Sequence, residues 1–261
     1  MSKKIKWFKQ EEGFGLGNFV MATPALRNLG AKNPVNVYFS DKKIETLYKK
    51  CPFMSILKMP PRTKAFATTS TGKKNRRRRE SDSQSLFRVI ASRDTKKMGN
   101  TYVDYEITRK LDKIKGKKYV AVFHGCLGNI YQVAKDVGHK TRQYIINSII
   151  SREYIPVLLG SKRDHRVYWN RNKLQKCLNY LGKLSLKDSV SLLGQCDGFI
   201  SNDTGLYHVA GALDMKGLVL WKKTDAIRSR STCPKISHAV CRNGAFITYK
   251  RYIDNFLKEI K

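Results

Sequence analysis

The sequence predicts an α/β protein with two successive halves, each built around a parallel sheet. Short apolar runs alternate with stretches of helical character, a glycine-rich turn joins the first strand to the first helix, and a new apolar run follows Lys115–Lys118. Two such halves predict a cleft between their sheets, because open α/β sheets bind ligands at the carboxyl ends of their strands. We predict domains at residues 1–117 and 118–261, with Lys115–Lys118 as the hinge.

The first half is predicted to contain a strand, a glycine-rich turn, a helix, a strand and a helix. These elements are Ile5–Phe8, Gly13–Asn18, Thr23–Leu29, Val35–Phe39 and Lys42–Lys50. Pro24 leaves two possibilities for the first helix. Either Thr23 caps a helix that has proline in its first position, or Pro24 kinks a helix that begins near Asn18.

A basic segment at residues 62–97 interrupts this pattern. It contains twelve basic and three acidic residues between Arg62 and Lys97. Blocks of like charge do not pack in a core, so we predict a loop that faces solvent or a ligand. A solvated charge run or a localisation signal is the alternative. The candidate residues for binding a polyanionic acceptor here are Lys73, Lys74, Arg76, Arg77, Arg78 and Arg79.

The pattern after this segment predicts a helix at Tyr102–Ile114 and then the second half. The predicted strands of that half are Tyr119–Phe123, Ile155–Leu159, Gly198–Ser201 and Leu218–Trp221. Its predicted helices are Arg142–Ser151, Leu174–Leu181, Leu186–Leu193, Tyr207–Leu213 and Tyr252–Ile260. The alternation of the two element types favours parallel strands joined by helices.

Charge is the most unusual feature of the composition. The chain has 52 Lys and Arg against 20 Asp and Glu, a formal net charge of +32. Such an excess indicates a polyanionic partner, because phosphates offset the self-repulsion of the protein. A disordered chain is excluded by the 41% of hydrophobic residues, which lie in clear short runs.

Other compositional features concern the location of the protein. No stretch approaches the roughly 18 apolar residues that a membrane span requires, and the N-terminus lacks the apolar stretch of a secretory signal. The six cysteines form no CxxC pair and have no histidine at zinc-ligand spacing. We therefore expect free thiols, a cytoplasmic protein and no stable membrane insertion.

The most specific motif is Ser201–Leu213, a strand end, a polar turn and a helix. The turn Asn202–Gly205 directs free backbone N–H groups at whatever lies above the strand, and the helix dipole favours an anion there, such as a diphosphate. Asp203 is placed to cap the helix, Gly205 allows close approach of a ligand, and His208 lies one turn beyond Thr204. Helix capping and core packing are the alternative roles of Asp203 and His208.

Several motifs of the chain, taken in order, resemble those of a known family. The sequence SLKDSVSLLGQCD followed by SNDTGLYHVAGAL resembles the donor-site signature of glycosyltransferase family 9, the heptosyltransferase-like enzymes of GT-B fold. The N-terminal GLGNFVMATPALRNL is similar to the opening loop and helix of that family, and AVFHGC and IPVLLGS lie where it has two further strands. The resemblance implies two Rossmann-like domains that face a central cleft.

The same resemblance implies a reaction and its participants. A nucleotide-sugar donor binds mainly to the second domain, an acceptor binds mainly to the first, the anomeric carbon inverts, and no metal or other cofactor is needed. It assigns the donor to Asp203, Thr204, Gly205 and His208 and, at the end of AVFHGC, to His124, which is equally a packed residue. Gly15 and Gly17 fall on the acceptor side.

One departure from the family pattern concerns the catalytic base. The family has an aspartate just after the GLG of the first loop, and this chain has Asn18, which cannot accept a proton. Either Glu11 or Glu12 of the same loop is the base, with Glu12 the residue we select, or Asn18 only orients the acceptor. The family's second-domain lysine is also unplaced, with Lys135 and Lys140 as candidates and Lys135 the one selected.

Fold does not identify the acceptor, so charge decides between the hypotheses. The first is sugar transfer to a hydroxymethylated pyrimidine in bacteriophage DNA, because double-stranded DNA matches the positive charge. The second is heptosyltransferase-like transfer to a lipopolysaccharide core or other phosphorylated glycan. The third is an inactive scaffold that binds nucleic acid. We expect a monomer, located in the host cytoplasm if a phage encodes it.

Overall fold

The computed structural model describes residues 7–12, 15–63, 65, 67–74, 76–77, 79–91, 98–125, 135–164, 176–222, 224, 226–241 and 245–260. The chain forms two compact units, and each contains a parallel sheet, as the α/β prediction requires. The first unit is Met1–Tyr105 with Ile227–Thr232, and the second is Glu106–Ala226 with Cys233–Lys261. The predicted domain boundary after residue 117 lies further along the chain.

The first unit contains a small parallel sheet and short helices. Its strands are β1 (Phe8–Gln10), β2 (Val35–Phe39), β3 (Met54–Leu57) and β4 (Ala67–Thr68). Its helices are α1 (Leu16–Leu29), α2 (Lys42–Glu45), α3 (Thr71–Lys74) and α4 (Asp82–Leu86), the last followed by a π-helical turn at Phe87–Ala91. The strand order is β3-β2-β1-β4. Strands β2 and β3 therefore lie on one side of β1 and β4 lies on the other, which makes the position between β1 and β4 a switch point.

Pro24 lies inside α1, so the second of the two possibilities for this helix is the one observed. Proline has no N–H, and the carbonyl of Val20 therefore loses its usual partner four residues later. The Thr23 hydroxyl donates to that carbonyl at 2.7 Å and accepts from the backbone N–H of Tyr102 at 2.8 Å. Thr23 thus repairs the helix and holds the segment around Tyr102 against it.

An aromatic cluster forms the core beneath α1. The Phe19 ring lies 4.6 Å from the Phe39 ring and 4.7 Å from the Tyr48 ring, measured between centroids. It also meets the Phe8 ring edge-on. These side chains come from α1, two neighbouring strands and the segment after α2, so their burial fixes the helix over the sheet.

The second unit contains a larger parallel sheet. Its strands are β5 (Tyr119–Phe123), β6 (Ile155–Leu158), β7 (Leu178–Asn179), β8 (Gly198–Asn202), β9 (Gly217–Trp221) and β10 (Ile236–Val240). Its helices are α5 (His139–Ile150), α6 (Leu186–Leu193), α7 (Gly205–Ala212) and α9 (Phe246–Glu259). A short helix, α8 (Ala226–Ser229), lies between β9 and β10 in the chain, and all of it after Ala226 belongs to the first unit. The strand order is β10-β9-β8-β5-β6-β7.

Burial of the central strands explains why the sequence predicted them. Every residue of β5, β8 and β9 is buried, as expected for a parallel sheet covered on both faces. The Phe199 ring stacks on that of Phe123 with centroids 5.4 Å apart, and it lies directly over Gly217 of β9. A side chain at Gly217 would collide with this ring.

Two predicted helices are wrong, and a third, predicted at Lys42–Lys50, ends at Glu45. Residues 102–114 form neither helix nor strand, because polar side chains of α6 and other neighbours take their backbone N–H groups. Of the predicted helix Leu174–Leu181, the first two residues lie outside the described residues, and the remainder contains the edge strand β7. Besides β7, three further strands that are short or half-exposed, β3, β4 and β10, are not predicted by the sequence.

Candidate functional site

The second sheet brings several of the candidate donor residues to one place. Its strand order reverses between β5 and β8, which are neighbours in the sheet, and such a switch point is where open α/β sheets bind ligands. His124 and Gly125 follow β5, and Asp203 and Thr204 follow β8, at the carboxyl ends of these strands. The sequence-predicted donor motif therefore lies at the switch point.

The start of α7 presents backbone groups of the kind that favour an anion. Thr204 is the N-cap, and its hydroxyl accepts from the backbone N–H of Tyr207 at 3.4 Å. The capping role expected as an alternative for Asp203 is therefore wrong, and Asp203 precedes the cap. The N–H groups of Gly205 and Leu206 belong to the first turn and have no intrahelical partner, so with the helix dipole they favour a phosphate.

Asp203 forms an ion pair with Lys135. The Lys135 ammonium lies 2.7 Å from Oδ2 of Asp203 and also donates to the Asp203 backbone carbonyl at 3.2 Å. The Asp203 side chain is only 7% exposed, whereas that of Lys135 is 26% exposed. The structure thus brings Lys135 to the turn Asn202–Gly205, which we call the donor turn after its predicted ligand, whereas Lys140 is exposed on the first turn of α5.

Asn202 connects this lysine to the end of β5. Its side-chain amide donates to the carbonyl of Gly125 at 3.3 Å and to that of Lys135 at 3.1 Å. Its Oδ1 is buried and has no hydrogen-bond partner among the described residues. Sequence reasoning placed Asn202 in the turn but assigned it no role, and its position beside Asp203 was the only available signal.

His208 is a buried, neutral imidazole in the second turn of α7. Burial lowers its pKa to about 4, which outweighs the opposing effect of the Asp203 carboxylate. Its Nε2 lies 4.0 Å from Oδ1 of Asp203, which is too long for a hydrogen bond. The ring packs against that of Tyr207 with centroids 4.4 Å apart. At neutral pH His208 can donate one N–H but carries no charge.

A buried cation lies near the end of β5. Arg142 of α5 is 7% exposed and pairs with Asp136. His124, a predicted donor residue, is 2% exposed, and this burial together with the Arg142 charge lowers its pKa to about 3. Its imidazole is therefore neutral at pH 7. Sequence reasoning missed Arg142 and Asp136, because nothing in their spacing distinguishes them from the many other charged residues.

The candidate catalytic bases of the first unit follow β1, at the switch point of its own sheet. Glu11 and Glu12 follow β1, and the backbone N–H of Glu11 donates to Thr69 Oγ1, just beyond the neighbouring strand β4, at 3.3 Å. Glu11 is half-buried and Glu12 is exposed.

The glycine-rich loop leads directly into α1. Gly15 is the N-cap of this helix, and Gly17 and Asn18 belong to its first turn. Asn18 is half-buried, and its backbone N–H donates to the Gly15 carbonyl at 3.1 Å.

The basic segment at 62–97 is more ordered than the predicted loop, since it contains α3, α4 and the π-helical turn. Arg76 pairs with Asp82 at 3.0 Å, and Arg88 pairs with Glu80 at 2.9 Å, so part of its charge is neutralised inside the unit. The exposed members of the predicted set are Lys74, Arg77 and Arg79. Arg78 and the side chain of Lys73 lie outside the described residues.

Comparison with known proteins agrees with this geometry. The model of glycosyltransferase family 9 (heptosyltransferase) matches residues 85–251, which include the donor turn. Lipopolysaccharide heptosyltransferase 2 of Salmonella typhimurium is 30% identical over 119 residues, which are 43% of this chain and 33% of that protein. The matched region thus spans about a third of the length of this curated relative.

Solved structures show the same fold over nearly the whole chain. A family 9 glycosyltransferase from Veillonella parvula has a TM-score of 0.76 at 12% identity and covers 100% of this chain and 98% of that one. The ADP-heptose lipopolysaccharide heptosyltransferase II of E. coli has a TM-score of 0.70 at 14% identity, with 97% of each chain covered. The predicted GT-B type of α/β fold is confirmed. Because the family model covers more than half of its residues, the chain belongs to glycosyltransferase family 9.

Proposed function

We propose that the protein transfers a sugar from a nucleoside-diphosphate sugar to a hydroxyl group of a phosphorylated glycan of the lipopolysaccharide-core type. The observation that carries this proposal is the donor turn: the N-terminus of α7 at the switch point of the sheet, with the Lys135 ammonium held beside it. The curated relatives that match the chain are lipopolysaccharide and lipooligosaccharide heptosyltransferases, which supports heptose as the sugar.

The donor turn suits the departure of a diphosphate. As the bond between the anomeric carbon and the phosphate oxygen breaks, its electron pair leaves with the diphosphate and negative charge grows there. The first-turn N–H groups of α7 and the third hydrogen of the Lys135 ammonium stabilise that charge without rearrangement. Because these groups supply the positive field, we propose that transfer requires no metal ion, which activity after treatment with EDTA would test.

The proposed acceptor chemistry is a single displacement. The acceptor oxygen forms its bond to the anomeric carbon from the face opposite the leaving diphosphate, so the configuration inverts. Its proton passes to the Glu12 carboxylate, while Asn18 orients the hydroxyl. A base of this kind contributes roughly 10²–10⁴-fold to the rate. We expect Glu12→Gln to lower kcat by at least a hundredfold, and Glu11→Gln to leave it within a few-fold.

A second candidate is sugar transfer to hydroxymethylated pyrimidines in double-stranded DNA, and the net charge of +32 favours it. DNA presents about one phosphate per 1.7 Å of axis, which the exposed Lys74, Arg77 and Arg79 would contact. The comparisons offer this acceptor no support. A monomeric cytoplasmic enzyme is compatible with both candidates. They differ in the acceptor and therefore in the product.

One experiment decides between them. The protein is incubated with ADP-, UDP- and GDP-sugars and with either a truncated lipopolysaccharide core or hydroxymethylcytosine DNA, and the product masses are measured. We expect a mass increase of one sugar on the lipopolysaccharide core. Transfer to DNA instead would favour the second candidate, and no transfer to any acceptor from any donor would favour the inactive scaffold.

A further inference from the structure

Residues 106–118 of the second unit form an exposed basic segment, which we call the basic strap. It contains six basic and two acidic residues and is neither helix nor strand. Two isoleucines lie among these charges, Ile107 and Ile114, and each is 61% exposed. Leu111, midway between them, is buried and anchors the strap in the core.

The backbone of the strap is held in place. The N–H groups of Thr108 and Arg109 both donate to the Ser191 hydroxyl of α6 at 3.1 Å. Further along, the N–H of Leu111 donates to Gln195 Oε1 at 2.9 Å. The Tyr119 hydroxyl accepts from the N–H of Ile114 at 2.7 Å. The two isoleucines are therefore fixed on the surface while their backbone is satisfied inside the unit.

The charges of the strap divide into paired and outward-facing groups. Glu106 pairs with Lys187 at 2.8 Å, and Lys117 pairs with Glu153 at 2.8 Å, which neutralises charge at both ends. Arg109, Lys110, Lys113 and Lys115 are exposed between these ends, together with one carboxylate, Asp112, and they lie close in sequence to the isoleucines. The middle of the strap thus presents cations together with apolar side chains.

We propose that the basic strap docks on the surface of an anionic lipid bilayer, with Ile107 and Ile114 entering the boundary between headgroups and acyl chains. Lys110 and Lys115 then face the lipid phosphates. A bilayer offers an anionic layer directly above an apolar one, which complements both kinds of side chain. Nucleic-acid phosphates would attract the lysines but would gain nothing from two exposed aliphatic side chains.

This attachment is peripheral. Among the helices that the structure describes, none has the length and apolar character needed to cross a bilayer. The strap instead combines surface charge with two shallow apolar anchors, and binding of this kind is reversible and sensitive to salt. The inference does not depend on the proposed sugar transfer, because it concerns a different surface and is tested without donor or acceptor.

The test is sedimentation of the full chain with vesicles. Vesicles of phosphatidylcholine alone and vesicles that also contain phosphatidylglycerol are compared, with double-stranded DNA as a separate ligand. Two strap variants are used, Ile107→Ser with Ile114→Ser and Lys110→Gln with Lys115→Gln. The control is Ile247→Ser, which removes an isoleucine of α9 that is 70% exposed. All substituted side chains are exposed, and unchanged melting temperatures confirm folding.

We expect binding to the anionic vesicles only, weakened about tenfold or more by either strap variant and unchanged in the control. Wild-type affinity of the double isoleucine variant for anionic vesicles would overturn the proposal, as would an absence of vesicle binding by the wild-type chain. Loss of DNA binding in the lysine variant without any vesicle binding would overturn it in favour of a nucleic-acid surface.

Discussion

The ammonium of Lys135 lies 2.7 Å from the carboxylate of Asp203, one residue before the N-cap of α7. Asp203 is buried, and the lysine compensates its negative charge, so loss of the lysine would leave an unpaired buried carboxylate. The pair leaves the lysine partly exposed at the start of the helix. It therefore holds a cation where the proposed function places the donor diphosphate.

Removing the Lys135 charge should weaken donor binding. Lys135→Met deletes the ammonium and leaves the Asp203 carboxylate uncompensated beside the incoming phosphates, so we expect a 10- to 100-fold higher Kd for a nucleoside diphosphate. Lys140→Met removes a cation that is exposed on α5 and should change the Kd by less than about twofold. Calorimetric titration of both variants measures this, and equal effects would contradict the assignment of Lys135.

Asn202 should act on donor binding through Lys135. Asn202→Ala removes two hydrogen bonds, including the one to the Lys135 carbonyl, and should raise the KM for the donor about tenfold. A residue that merely stabilises the fold would lower the amount of active protein without a change in KM. In a Lys135→Met background the effect on KM should disappear. A full additional tenfold effect in that background would show that Asn202 acts independently of the lysine.

Stability should fall in mild acid because His208 is buried without charge. Its folded pKa of about 4 lies below its ordinary value of 6.5, so the unfolded chain binds a proton that the folded one does not. The contribution of this neutral histidine to the free energy of unfolding is therefore fully present above pH 6.5, and it is lost as the pH falls towards 4. The free energy of unfolding in urea is measured near neutrality and near pH 5.5. Between these two pH values it should fall by about 1 kcal/mol less in His208→Asn than in the wild type. Equal losses would indicate a charged His208 in the folded protein.

Gly217→Ala should strongly destabilise the second unit. The added methyl group would lie 2.1 Å from the Phe199 ring, which is itself stacked on Phe123 and cannot move without displacing the core. We expect a loss of about 3 kcal/mol or more in the free energy of unfolding. At Gly15 an added methyl group meets nothing within 4 Å, so Gly15→Ala serves as the control and should cost less than about 1 kcal/mol. Similar melting temperatures for the two variants would contradict this packing.

The sequence allowed the central strands and the donor turn to be predicted, and the reasons are physical. Strands β5, β8 and β9 are buried on both faces and therefore appear as continuous apolar runs. By contrast, β10 is half-exposed, with Ser237 and His238 among its residues, and gives no such signal. The predicted helix at Tyr102–Ile114 failed because its N–H groups bond to side chains such as Ser191, which are distant in sequence.

The partner of Asp203 could not be identified from sequence for a similar reason. Lys135 and Lys140 are close neighbours in a strongly basic chain, and charge alone does not distinguish them. The distinction comes from Asn202, whose amide reaches the Lys135 carbonyl across 67 residues of sequence. Arg76 shows the converse case, because its place in an arginine run indicated an exposed ligand contact, whereas it pairs with the buried Asp82.

The central claim is that the turn after β8 recognises the diphosphate of the donor. The direct measurement is a calorimetric comparison of ADP with AMP, which lacks the second phosphate, for the wild-type chain and for Asp203→Ala. We predict that the wild-type chain binds ADP at least about tenfold more tightly than AMP and that Asp203→Ala removes most of this difference. Equal affinity of the wild-type chain for ADP and AMP, or an undiminished preference in the variant, would contradict the claim.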